Sequence, residues 1–291
     1  MDIIRAINDA TPAPVSATEA FPDTTAADWT VLGLSGLDDQ HMFSPNLGCF
    51  ILRWADRLVL CDAGIGPGPN AYLNGLSGHL PRQLAAIGVA PADISAVVFT
   101  HLHMDHIGWV TQIGPDGQRQ ATFPNADYIV AQDELDFWMG GAAGARAHHR
   151  DAFETVFRPL ADSGRLRPAA WDAPILDGMR LLSTPGHTPG HASILFTRDD
   201  AQLVIAGDIF HCPGQVERPQ WHHRADMDPD LARITRRAFI QHAASQGWLV
   251  AAGHFRDGLQ LGTIAAQGDG HRFVPVNAAM ASSCAFVQGR L

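Results

Sequence analysis

One short segment, residues 100–106 (T-H-L-H-M-D-H), contains four side chains that can bind a metal: His101, His103, Asp105 and His106. It directly follows an apolar run at residues 96–99, whose β-branched and aromatic side chains predict a buried strand. Because alternate side chains of an extended segment share a face, His101 and His103 point the same way and could share one metal. Asp105 and His106 follow where the chain turns and could face a second metal. Imidazole suits zinc, iron, nickel and copper, and a carboxylate adds a hard ligand.

Isolated histidines are commonly surface residues or satisfied core residues, so this cluster needs support from elsewhere in the chain. Three later segments provide it. T-P-G-H-T-P-G-H at 184–191 contributes His187 and His191, G-D at 207–208 contributes Asp208, and G-H at 253–254 contributes His254. Each follows a run that predicts a short strand, and α/β sheets gather their sites at strand ends.

These four motifs, in this order and at this spacing, resemble those of the metallo-β-lactamase-fold hydrolases. The resemblance covers residues 48–276 and is specific for the fold but only weakly specific for the substrate. It implies an α/β fold, a four-layer αβ/βα sandwich in which two mixed β-sheets are flanked by helices. Residues 1–30, rich in Ala, Thr, Pro and Asp, are expected to form an N-terminal arm with a strand around residues 29–32. Residues 31–291 are expected to form a single domain.

The resemblance also implies a ligand set for two divalent metal ions. Zinc is the first expectation, and manganese, cobalt and iron also fit sites made of histidine and aspartate. A bridging carboxylate and a bridging hydroxide offset the repulsion between two cations about 3.5–4 Å apart. The family pattern assigns His101, His103 and His187 to one metal. It assigns Asp105, His106 and His254 to the other metal, and Asp208 to both.

Two further residues take supporting positions in the family pattern. Asp62 ends a predicted hairpin of residues 49–54 and 57–61, and an aspartate there typically supports the metal loop from behind. A plain turn or cap is the alternative for this residue. The family uses the first histidine of the T-P-G-H repeat as a ligand, so His191 is expected to be supporting or structural.

The expected reaction is hydrolysis by a hydroxide that bridges the two metals, with the developing oxyanion stabilised by the metals. Asp105 lies beside that nucleophile, where it could orient the hydroxide and later protonate a leaving group. Homoserine-lactone lactonases of the superfamily have a tyrosine three residues after the bridging aspartate, and this chain has His211 there. We expect His211 to contact the leaving group, and a hydrogen-bonded structural histidine is the alternative.

Residues 123–126, 136–138 and 270–277 are similar to the methyl parathion hydrolase branch of the superfamily, which stands beside lactonases and arylesterases. This resemblance implies a small-molecule substrate, namely an ester, a lactone or a phosphotriester, and a homodimer. Aromatic residues are the candidate pocket walls, with a core position as the alternative for each: Phe43, Phe137, Trp138 and Trp221.

Composition excludes several other classes. The net charge of −10 and the lack of a basic run argue against nucleic acid as a partner and against a nuclease. All 20 basic residues other than histidine are arginines, which excludes enzymes that need a P-loop, Schiff-base or S-x-x-K lysine.

An iron-dependent dioxygenase or a β-lactamase-like amide hydrolase of the same fold remains an alternative. A binding protein with a vestigial site would be expected to lack a ligand, and none is missing.

The remaining features favour a cytoplasmic protein. Cys49, Cys61, Cys212 and Cys284 form no C-x-x-C motif and are expected to be free thiols. The N-terminus has no apolar core typical of a signal peptide, and no run is long enough to span a membrane. The other histidine pairs are expected in solvent, on a helix or in a polar loop: His148 and His149, and His222 and His223.

Overall fold

The computed structural model describes residues 3–32, 37–38 and 40–276. Two predictions concern residues outside this range, namely the free thiol of Cys284 and the part of the 270–277 motif that Asn277 carries. Among the described residues, no helix combines the length and the apolar composition needed to cross a bilayer. Cys49, Cys61 and Cys212 are buried free thiols, as expected.

Two mixed β-sheets form the centre of the molecule. The strands of the first sheet, in spatial order, are Ile3–Ala10, Leu47–Trp54, Arg57–Cys61, Ala96–Val98, Asp127–Ala131 and Leu166–Ala169. The first three strands are antiparallel to one another. Parallel pairing begins between Arg57–Cys61 and Ala96–Val98 and continues to the last strand. The strands of the second sheet are Pro174–Leu176, Met179–Ser183, Ala192–Arg198, Ala201–Ile205, Leu249–Ala251, Leu261–Gln267 and Gly270–Pro275.

Helices cover the outer faces of the sheets. Their bounds are Ala17–Ala20, Ala26–Leu32, Leu80–Ala86, Met104–Ile107, Gln132–Met139, Ala147–Ala152, Arg158–Asp162, Gly214–Glu217 and Pro229–Gln246, with a π-helical turn at Phe153–Phe157. Short 3₁₀ turns lie at Ala71–Leu73, Pro91–Asp93 and Gly207–Ile209. Two small antiparallel ladders pair Val15–Ser16 with Met42–Phe43 and Thr111–Ile113 with Arg119–Ala121.

Three apolar layers separate these elements. The middle layer joins the facing sides of the two sheets, with Phe50 and Val98 from the first and Phe196 and Ile205 from the second. One outer layer packs helices onto the first sheet, and the other packs Pro229–Gln246 onto the second sheet. The predicted four-layer αβ/βα sandwich is therefore confirmed.

The helix Pro229–Gln246 shows how local sequence sets an element. Asp228 caps its start by accepting the N–H of Leu231, and Gly247 ends it in the left-handed conformation at φ 65°. Apolar residues recur every three or four positions and bury one face against the second sheet. The helix was predicted with these bounds.

The predicted N-terminal arm is wrong for its first residues. Ile3–Ala10 is an edge strand of the first sheet, antiparallel to Leu47–Trp54. Asp9 is fully buried there. Its carboxylate is satisfied because it accepts the N–H groups of Ile65, His79 and Leu80. The strand expected around residues 29–32 is also wrong, since Ala26–Leu32 is a helix that buries Trp29.

Candidate metal centre

Strand ends from both sheets meet at one edge of the sandwich. Residues 101–106 follow Ala96–Val98 in the first sheet, and the other three candidate segments follow or join strands of the second sheet. Side chains far apart in sequence therefore converge, as the spacing of the motifs predicted. All candidate ligands are buried except Asp105, whose side chain is 17% exposed.

Asp208 lies at the centre of this cluster. Its Oδ2 atom is 2.9 Å from Nε2 of His254, 3.1 Å from Nε2 of His187 and 3.8 Å from Nε2 of His101. Its Oδ1 atom is 3.3 Å from Nε2 of His106. One carboxylate thus stands between two groups of imidazoles, which is the position that a bridging ligand needs.

The donor atoms form two neighbouring sets, one of His101, His103 and His187 and the other of Asp105, His106 and His254; within each set they lie within 4.8 Å of one another. The Nε2 atoms of His101 and His106 are buried and have no hydrogen-bond partner among the described residues. A buried polar atom without a partner is costly, and a metal ion accepts the lone pair of a neutral imidazole. The residues therefore fit two metal ions.

The electrostatics of the cluster also suit ligation. Burial lowers the pKa of His101 and of His103 well below the usual histidine value, so both imidazoles stay neutral. Burial alone would raise the pKa of Asp208, but the surrounding imidazoles, His254 first, hold it well below its usual value. Burial opposes it, but the negative charge of Asp208 raises the pKa of His106, His187 and His254, so these imidazoles hold protons that a bound metal ion would displace.

Asp62 holds His106 from behind. Its carboxylate accepts the N–H and the hydroxyl of Thr100, each at 2.8 Å, and lies 2.9 Å from Nδ1 of His106. A proton on Nδ1 of His106 leaves Nε2 free to face a metal. These contacts fit the supporting position expected for this residue.

His191 faces away from both sets of donor atoms. Its Nδ1 lies 3.0 Å from the carbonyl of Thr184, and its Nε2 accepts the backbone N–H of Asp208 at 2.9 Å. Both ring nitrogens are thus engaged, and the imidazole orients the segment that carries Asp208. This geometry fits the expected supporting role.

Two buried carboxylates near the centre were not predicted. Asp226 lies 2.9 Å from Nδ1 of His187. Glu134 accepts the N–H groups of Leu102 and Gly190 and the hydroxyl of Thr188, so it joins the two histidine loops. No sequence signal marked either residue, because the residues of the histidine loops that they contact are at least 32 positions away along the chain.

The expectation that the two histidine pairs, His148 and His149 and His222 and His223, lie in solvent is wrong. His149 is buried and stacks on His103, with ring centroids 3.8 Å apart, while its Nδ1 accepts the N–H of Met104. His223 is partly buried and stacks on His211 at 3.7 Å. His148 is half-buried, and so is His222, whose Nδ1 lies 2.6 Å from an oxygen of Asp23.

A cavity of about 380 Å³ opens onto the cluster. Phe43 lines it, as predicted, and so does His211. The prediction that Phe137, Trp138 and Trp221 are walls of this cavity is wrong. Phe137 and Trp138 belong to the helix layer on the first sheet. Trp221 is buried in a separate apolar cluster near the N-terminal helices.

His211 occupies a constrained position between Asp208 and the cavity. Its Nε2 lies 3.4 Å from Oδ2 of Asp208, and its backbone N–H donates to the side chain of Gln215. The Nδ1 atom is buried and has no partner among the described residues. The imidazole of His211 therefore borders the cavity beside Asp208, where a bound molecule can contact it.

Known proteins share this sequence pattern and this architecture. The family model described as the metallo-beta-lactamase superfamily matches residues 49–254. The N-acyl homoserine lactonase AiiA of Bacillus thuringiensis subsp. kurstaki is 25% identical over 239 residues, which cover 76% of this chain and 85% of that protein.

Solved structures agree in fold. The hydrolase AbOPH, described as a member of the beta lactamase superfamily, superposes with a TM-score of 0.79 at 24% identity over 94% of each chain. AidC, described as a dizinc quorum-quenching lactonase, superposes with a TM-score of 0.75 at 19% identity, covering 95% of this chain and 98% of AidC. Together with the family match and the clustered ligands, the lactonase relatives support a metal-dependent hydrolase. The chain belongs to the metallo-β-lactamase superfamily.

Proposed function

We propose that this chain hydrolyses a small ester, lactone or phosphotriester at a dinuclear metal centre. The observation that carries the proposal is the position of Asp208 between two sets of donor atoms, with the buried Nε2 atoms of His101 and His106 unpaired among the described residues. A single-metal site would leave one of the two sets of buried donors without a cation.

Seven residues would hold the metals: His101, His103 and His187 for one, Asp105, His106 and His254 for the other, and Asp208 for both. Zinc is the proposed metal, because imidazole-rich sites suit it and AidC is described as dizinc. When bound, two divalent cations supply a water-derived nucleophile at neutral pH and polarise the bond to be cleaved.

The protein's own groups would position the reactants and move the proton. Asp105 is the most exposed of the proposed ligands and lines the cavity, so its free carboxylate oxygen can orient the attacking water and accept its proton. His211 also lines the cavity, and its imidazole can donate a hydrogen bond to the leaving oxygen. The buried surroundings exclude bulk water and strengthen both interactions.

The full ligand set argues against one of the two alternatives. A mononuclear iron dioxygenase would not need both sets of donor atoms. A β-lactamase-like amide hydrolase shares the centre, and the substrate panel below includes its reaction. The homodimeric state and the cytoplasmic location stay predictions.

Turnover of a matched substrate panel tests the proposal. Zinc-loaded protein would be assayed by proton release with acyl-homoserine and simple γ-lactones, aryl esters, an aryl phosphotriester and a β-lactam. The proposal expects turnover of at least one ester, lactone or phosphotriester, and loss of that activity in His103→Ala. Hydrolysis of the β-lactam alone, or activity that survives in His103→Ala, would overturn it.

A further inference from the structure

The cavity above the metal centre has an unbalanced charge. Among its described lining residues the only carboxylates are Asp105 and Asp208, and both are proposed metal ligands. Two arginines, Arg146 and Arg224, also line it, together with His148. With two divalent cations bound, the positive charge at this cavity would exceed the charge of the two carboxylates.

Arg146 is the arginine without a carboxylate partner. Its guanidinium donates a hydrogen bond of 2.6 Å to the backbone carbonyl of Arg224, which fixes the two residues against each other. Arg224 pairs instead with the exposed side chain of Glu19. No acidic group among residues 3–32, 37–38 and 40–276 lies within ion-pair distance of Arg146, which keeps its remaining N–H donors available.

The other part of the lining is apolar. It is built from the small ladder of Val15–Ser16 and Met42–Phe43, the segment before that ladder, the start of Leu47–Trp54 and the turn Ala71–Leu73. It includes Pro12, Pro14, Val15, Phe43, Leu47 and Leu73. A substrate that fills this cavity therefore meets the metal centre, an apolar wall and a cationic group. A neutral ligand would leave the guanidinium of Arg146 without an anionic partner.

We propose that Arg146 binds a carboxylate on the substrate, so that the preferred substrate is an ester or lactone whose apolar part carries an anionic group. This proposal rests on the proposed hydrolysis and specifies its substrate class. Guanidinium groups bind carboxylates through charge-assisted and often paired hydrogen bonds, and the excess positive charge adds long-range attraction.

The test compares two esters that differ in one group. 4-Nitrophenyl butyrate is neutral, and mono-4-nitrophenyl glutarate has the same leaving group and a terminal carboxylate. We expect zinc-loaded protein to favour the glutarate ester by about tenfold in kcat/KM, since a charge-assisted hydrogen bond is worth that much or more. Arg146→Gln should remove this preference mainly through KM, and Arg146→Lys should retain part of it.

Arg167→Gln is the matched control. Arg167 is an exposed arginine that pairs with Asp127 and lines no part of this cavity, so the preference should not change. Equal kcat/KM values for the two esters, or a preference that survives in Arg146→Gln, would overturn the proposal.

Binding separates this proposal from the proposed function. Glutaramate and butyramide are inert analogues of the two esters, and their dissociation constants can be measured by NMR titration of zinc-loaded protein. Tighter binding of glutaramate that depends on Arg146, without turnover of any panel substrate, would support the carboxylate site and refute the hydrolase. Turnover of both esters, with no effect of Arg146→Gln on either, would refute only the carboxylate site.

Discussion

Nδ1 of His187 lies 2.9 Å from Oδ1 of Asp226, a carboxylate whose side chain has no exposed surface. The other oxygen of Asp226 lies 3.3 Å from the guanidinium of Arg236, which is also buried. Arg236 in turn donates to the carbonyl of Ile209, the residue after Asp208. A continuous chain of buried polar contacts thus links one proposed ligand, His187, to the segment that carries the bridging one.

Removing Asp226 should weaken metal binding without unfolding the protein. In Asp226→Ala, His187 loses the group that fixes its ring, and we expect zinc affinity to fall by about 10- to 100-fold. Competition with a chromophoric chelator measures this affinity. Asp230→Asn is the control, because Asp230 is exposed in the first turn of Pro229–Gln246 and pairs with Arg233. Equal affinities for wild type and Asp226→Ala would show that the contact has no part in metal binding.

Asp9 should stabilise the fold through its buried hydrogen bonds. Its carboxylate accepts three backbone N–H groups and the indole N–H of Trp109, so Asp9→Ala leaves several buried donors unpaired. We expect the free energy of unfolding to fall by about 2–4 kcal/mol in urea titrations of zinc-loaded protein. Asp93→Ala removes one exposed carboxylate that accepts one backbone N–H, and it should cost about 1 kcal/mol or less. Similar losses for the two variants would contradict this account.

Gly207 should tolerate no side chain. Its φ of +62° disfavours other residues, and an added Cβ would lie 2.5 Å from Nε2 of His191 and 2.9 Å from Cβ of Thr100. Gly207→Ala should therefore displace His191 and Asp208 and reduce the bound zinc, as measured by elemental analysis. Gly164 has a φ of +74° with no atom within 4 Å, so Gly164→Ala isolates the backbone strain alone. Gly164→Ala should lower the free energy of unfolding by about 1–2 kcal/mol and leave the zinc content unchanged. Full zinc content in Gly207→Ala would refute the expected clash.

His211 should affect turnover and not metal content. If its imidazole donates to the leaving oxygen, His211→Ala lowers kcat by about 100-fold while two zinc ions remain bound. His211 lies close enough to His187 and Asp208 to be a metal ligand itself. Kinetics and elemental analysis of the same preparation distinguish the two roles. Loss of one zinc ion in His211→Ala would identify it as a ligand.

Local patterns predicted the elements that their own residues determine. The hairpin of Leu47–Trp54 and Arg57–Cys61, the helix Gln132–Met139 and the capped helix Pro229–Gln246 each have a local periodicity or turn signal. The family motifs added the convergence of distant segments at one edge, which the clustered donor atoms confirm. The ligand roles themselves stay proposals.

Contacts between distant segments explain what the sequence did not predict. The composition of residues 1–30 predicted an arm, but Asp9 fits into a strand because donors at positions 65, 79 and 80 satisfy its carboxylate. His149 looked like a surface residue of a helix, and only the packing of that helix on the metal loop buries it. Trp138 was a candidate wall, yet Glu134 accepts its indole N–H and holds it in the core.

The number of metal ions per chain tests the central claim most directly. Zinc-loaded protein, passed through a desalting column and measured by inductively coupled plasma mass spectrometry, should contain two zinc ions per chain. Asp208→Ala should retain at most one, while its circular dichroism shows an intact fold. One zinc ion in the wild-type chain, with the same content in Asp208→Ala, would contradict a dinuclear centre bridged by Asp208.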